Sequence, residues 1–187
     1  MEEEKDNFDR LLSIMNRAYG CFLLWKQIRV SASIPDSGKE EAERRMGIVN
    51  RYDGLFSVIL YATENTFIGD LHKLFDERPN ALKLETLIAA LPQEEQILVR
   101  ELRASIEQEV KHLRVLRQNY VGHEPIKGRS EKIYTNEIEH IFTTVEKMLN
   151  VISKNIGKPS FIWNEWEGNT ASAFEKLLSD LDNDYNK

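Results

Sequence analysis

The sequence predicts an all-α fold: an up-down bundle of four main helices with short additional ones. Three observations carry that reading. Apolar residues recur at three- and four-residue steps through several long stretches. No segment alternates convincingly with the period of two that a half-buried strand requires. The prolines, Pro35, Pro79, Pro92, Pro125 and Pro159, all fall at the ends of the periodic stretches, where they cannot break a helix ladder.

The first stretch, residues 3–30, carries Phe8, Leu11, Leu12, Met15, Ala18, Tyr19, Phe22 and Trp25 on one face. "SASIPDSG" interrupts it at 31–38. A long helix is expected over about 39–77, with Met46, Val49, Leu55, Ile59, Ala62, Thr66 and Leu74 on its apolar side. Gly47, Gly54 and Gly69 are places where it can kink or admit a close neighbour. Asn80 is a candidate N-cap for a short helix ending before Pro92. Pro92 fits the first turn of the next helix, about 93–121, where Glu94 and Glu95 favour the positive end of the macrodipole. After the loop "GHEPIKGRS", residues 134–156 repeat apolar side chains at Ile138, Ile141, Phe142, Val145, Met148, Leu149 and Ile152. Gly157 and Pro159 stop that helix. "SFIWNEWEGN" and a last helix near 170–181 close the chain. Phe161, Trp163 and Trp166 read first as anchors that pin this segment, and second as surfaces on which bases stack.

With 187 residues the chain is long enough for one domain with a sizeable core, over about 8–155, and a C-terminal extension over 156–187 packed on it. A single cysteine, Cys21, excludes an internal disulfide framework and a Cys-rich zinc site. The acidic start "MEEEKDNFDR" is unlike a secretory signal, and the longest apolar run, "CFLLW", is too short to span a bilayer. A cytoplasmic location is expected. Net charge is −6, which argues against a general polyanion binder. The charge is uneven, however. The stretch 111–132 holds Lys111, Arg114, Arg117, Lys127, Arg129 and Lys132 against Glu124 and Glu131, a net +4 that leaves −10 on the rest. A basic patch on an acidic molecule suits a phosphate-bearing ligand. It also suits a solvated helix end whose cations meet the negative pole of the dipole.

The helix over 93–121 raises the chemical question. Its apolar positions are Val99, Leu102, Ile106, Val110, Leu113 and Tyr120, and the seven-residue gap before Tyr120 contains Arg117. At 100° per residue Arg117 falls in the middle of the stripe. A lone charge in a dry core costs several kcal/mol. Either its stem is buried and its head escapes near the helix end, or the stripe opens there into a polar cleft. His123 follows six positions later, about 240° round and about 9 Å along if the helix continued. Gly122 and Pro125 end the helix first, so a shared substrate site requires the chain to turn, or a second subunit to contribute.

"LRQNYVGHE" (116–124) resembles the R-x(4–6)-H motif of HEPN domains, and "FIGDLHKLFDERPNALKLETLIAAL" (67–91) resembles their abortive-infection U-type branch. The likeness covers about residues 8–155. It implies a metal-independent endoribonuclease without cofactors, acting on RNA as a homodimer, with the motifs of two subunits facing one cleft. In that reading His123 moves a proton, Arg117 stabilises the charged phosphate, and Gln118 and Asn119 orient the phosphate or the imidazole. Arg114, Lys127 and Arg129 hold the RNA backbone. An antitoxin or defence-system protein is the partner the branch implies. The tyrosine that many antitoxin-paired HEPN toxins carry two residues after the histidine is replaced by Pro125, so control through adenylylation of that tyrosine is not expected.

Two alternatives stay open. One is a non-catalytic HEPN-like dimerisation or interaction module, which buries the same stripes. The other is a di-iron bundle, because Glu109-x-x-His112 and Glu137-x-x-His140 repeat the Glu-x-x-His spacing on successive helices. Helical phase places both histidines more than 100° from their buried stripes, so these residues read as surface i,i+3 contacts within each helix, with no metal.

Overall fold

The computed structural model describes residues 2–30, 38–76, 84–120 and 132–185. Among them are eight helices and no strand: α1 (Glu2–Val30), α2 (Lys39–Arg51), α3 (Asp53–Leu74), α4 (Leu84–Ala89), α5 (Gln93–Ser105), α6 (Glu107–Tyr120), α7 (Thr135–Asn155) and α8 (Asn164–Tyr185). The all-α class holds. Asn80, the proposed cap of α4, lies outside the described residues.

Close contacts divide the chain into two compact units, Met1–Tyr19 with Phe67–Trp163, and Gly20–Thr66 with Asn164–Lys187. The first holds α4 to α7 and portions of α1 and α3. Here α5 and α6 both pack on α7, and α4 packs on α5. The seven apolar positions expected for α7 are all buried, because its 3.6-residue stripe runs without interruption. Trp163 is buried too. Its ring stacks 4.8 Å from Tyr19 and meets Phe142 edge-on, and its indole Nε1 donates to Asn16 Oδ1 at 2.9 Å. Phe161 leans on it. Asp70, also buried, accepts from both Arg17 Nε (2.7 Å) and Lys73 Nζ (2.7 Å).

The second unit has its own core of Ile28, Ile48, Phe56, Phe174 and Leu178. Helices α2 and α8 pack together. Arg44 and Arg45 join Glu41 to Glu175, and Arg51 reaches Asp182. Trp166 is 40% exposed, and its ring lies against Gly20 of α1.

Two expected helices are each broken in two. The 39–77 stretch divides at Tyr52, whose φ and ψ of −109° and 35° leave the helical range. The expected apolar side holds only in part: Leu74 is buried, and Val49 and Ile59 pack against the second unit's core. Met46 and Leu55 are exposed, and Ala42, Ile48, Phe56, Phe67 and Leu71, which the spacing passed over, are buried. A Cβ at Gly47, Gly54 or Gly69 would meet no neighbouring atom within 4 Å, so none marks a close approach. The 93–121 stretch divides at Ile106. The Ser105 hydroxyl donates to the Leu102 carbonyl at 2.7 Å, the acceptor that Ile106 N–H uses in an unbroken helix. Ile106 N–H turns to Arg103 instead, and the ladder resumes with Val110 N–H to Ile106 at 3.0 Å. Pro92 sits one residue before the first turn, at the N-cap. The last helix begins at Asn164, six residues earlier than expected.

Candidate functional site

Helix α6 carries the arginine of the motif. It has Glu107 and Glu109 in its first turn and Arg117 in its last, both complementary to the macrodipole. Val110, Leu113 and Leu116 are buried where it packs on α7. Leu116 stands at the edge of the helical stripe rather than at its centre, which is why spacing alone passes it over. It extends the buried row one turn beyond Leu113. Arg117, next in sequence, is half-buried. No hydrogen-bond or ion-pair partner holds its guanidinium among the described residues. This matches a buried stem with its charged head delivered near the helix end. Gln118 is exposed beside it. The side chain of Asn119, together with His123, Lys127 and Arg129, lies outside the described residues. Arg117 and Gln118 are therefore placed, and the partner half of the motif is not.

A cleft of about 310 Å³ opens beside α5 and α6, lined by Glu85, Arg100, Arg103, Glu107, Lys111 and Arg114 among others. Glu85 is bridged by Arg100 (3.1 Å) and Arg103, and Glu107 accepts from Lys111 at 2.8 Å. The Lys111 ammonium beside Glu107 holds that carboxyl below its usual range, with lesser help from Arg114 and Arg103. Of these cations, reading the sequence singled out Lys111 and Arg114 and missed Arg100 and Arg103. Their signal was present: Arg100, Arg103, Glu107, Lys111 and Arg114 follow one another at steps of three, four, four and three.

The Glu-x-x-His residues also meet partners beyond their own helices. These contacts join the two helices. His112 Nδ1 lies 2.5 Å from Glu137, and His140 Nδ1 lies 2.8 Å from Glu109. The α6–α7 pairing is thus clasped twice by reciprocal imidazole–carboxylate contacts. Among the described residues no three His, Cys, Asp or Glu side chains gather closely enough to hold a metal ion, so the di-iron arrangement finds no ligand set there. Nor is any described helix long and apolar enough to cross a membrane.

An all-helical chain that delivers an arginine at the end of a buried stripe, just before a histidine-bearing segment, has the pattern of a HEPN domain. The chain belongs to the AbiU2 family of HEPN proteins, whose family model matches residues 5–177. Comparisons with curated proteins and with solved structures find no match.

Proposed function

We propose that this protein is a metal-independent endoribonuclease, a HEPN toxin or defence nuclease whose active cleft forms between two copies of the chain. The observation that carries the reading is Arg117: a half-buried arginine in the last turn of α6, with no carboxylate to neutralise it among the described residues. Membership of the AbiU2 family supports it.

The chemistry fits these residue types. His123 removes the proton of a ribose 2′-hydroxyl, the 2′-oxygen bonds to the adjacent phosphorus, and the bond from phosphorus to the 5′-oxygen breaks. The leaving 5′-oxygen takes up a proton, so the products are a 2′,3′-cyclic phosphate and a 5′-hydroxyl. Arg117 stabilises the charge that builds on the phosphate oxygens, with Gln118 and Asn119 as orienting groups. Arg114, Lys127 and Arg129 supply contacts to the backbone.

The test is RNA cleavage by the purified protein in EDTA. His123→Ala is expected to lower the rate by about 10²–10⁴-fold, and Arg117→Ala by about 10²–10³-fold, with unchanged helical circular dichroism. Full activity in both variants, or a requirement for a divalent ion, overturns the mechanism. If wild-type protein leaves every RNA class intact and its expression is harmless, the chain is a non-catalytic dimerisation or interaction module.

A further inference from the structure

We propose that the cleft on α5 and α6 is a binding track for a single-stranded RNA backbone, with Arg100, Arg103, Lys111 and Arg114 as its phosphate contacts. The proposal rests on the ribonuclease reading for the identity of the strand, and it places the bound RNA along α5 and α6, on the approach to Arg117.

The cleft holds four cations against two carboxylates, a surplus of two positive charges in a molecule of net −6. Arg100 and Lys111 line the cleft with side chains more than half exposed, so a ligand can reach them even while each pairs with a glutamate. The four cations fall in two pairs, Arg100–Arg103 on α5 and Lys111–Arg114 on α6, on either side of the break at Ile106. A strand carries a phosphate at every nucleotide, so successive phosphates of one chain can meet both pairs in turn.

The two carboxylates have a role in this scheme. Glu85 bridges Arg100 and Arg103, and Glu107 holds Lys111. They keep the cations extended over the cleft and are the groups that phosphates displace. Removing a carboxylate charge is then expected to strengthen binding, whereas a merely structural ion network loses by it.

The test is fluorescence anisotropy with a labelled single-stranded RNA oligonucleotide on the full chain, in a His123→Ala background so that the probe survives. Arg100→Gln with Lys111→Gln is expected to weaken binding about tenfold at low salt and to flatten the dependence of log affinity on log salt by about 1.4. Glu85→Gln is expected to tighten binding severalfold. Arg103→Gln is held in reserve because Arg103 is more buried. Thermal melts of each variant check folding. RNA bound equally by the background and the double variant overturns the track and leaves the ribonuclease reading standing. RNA bound by none of the proteins overturns both. Competition by inorganic pyrophosphate as strong as that by RNA, compared per phosphate, overturns the strand in favour of a compact anion site.

Discussion

Two carboxylates of the second unit titrate in opposite senses, and their surroundings explain why. Glu41 accepts from Arg44 and Arg45, and those hydrogen bonds pull its carboxyl from 4.5 to about 2. Folding therefore gains from its ionised form above the ordinary value, and that gain is lost as pH falls from about 4.5 to about 2. The side chain is a third exposed, so solvent screening limits the contribution to about 1 kcal/mol. Glu64 is the reverse case: burial raises its carboxyl and outweighs the Trp25 indole bond and the more distant Arg29. Its ionisation opposes folding as pH rises above 4.5. Urea midpoints measured from pH 5 to pH 2 are expected to fall, and to fall less in Arg44→Ala. An unchanged slope in that variant removes Glu41 from the account. Arg117 belongs to the same scale. Its place on an apolar stripe was legible in the spacing, because a charge on a buried face is a visible anomaly. Leu116, its buried neighbour, was not, because the packing of α6 on α7 sets how wide the buried arc becomes.

At the scale of the element, helix ends were read better than helix interiors. The stop after α7 is a worked case. Gly157 has φ of 69°, its N–H donates to Lys154, and Lys158 N–H reaches back to Ser153 at 2.8 Å. This is the paired-bond ending that glycine allows and a Cβ opposes. Gly157→Ala meets no atom within 4 Å, so its cost is conformational alone, about 1–2 kcal/mol of stability by chemical denaturation. A neutral substitution would show that the turn relaxes without glycine. The breaks at Tyr52 and Ile106 were not legible. Neither residue is a helix breaker, and the Ile106 break depends on a serine hydroxyl taking one carbonyl out of the ladder. Once a helix is interrupted, angular bookkeeping across the break fails, so a single stripe drawn through α2 and α3 caught Val49, Ile59 and Leu74 but passed over Ile48, Phe56 and Phe67.

At the scale of the molecule, the uneven charge has a use. The chain is net −6, while the cleft beside α5 and α6 is lined by four cations and two carboxylates, a local positive site on an acidic molecule. A cleft completed by a second copy predicts that the chain is dimeric by multi-angle light scattering at the concentrations where it cleaves RNA. Cleavage by a monomer sinks the two-subunit site. The crossed His112–Glu137 and His140–Glu109 contacts show the limit of counting along one helix. Helical phase speaks only of partners on the same helix, and these imidazoles also reach carboxylates on the other one.

The sequence by itself determined the helical class, most of the helix ends, the buried face of α7 and the anomalous position of Arg117. All follow from local chemistry: residue periodicity, proline and glycine geometry, and the cost of a charge on an apolar stripe. Only the tertiary structure decided which side of α2 and α3 is buried, that Glu109 and Glu137 reach across to histidines on each other's helices, and that Arg100 and Arg103 share a cleft with Lys111 and Arg114. Those depend on which helices pack and at what rotation, and that choice is made by the fit of whole surfaces rather than by any single stretch of chain.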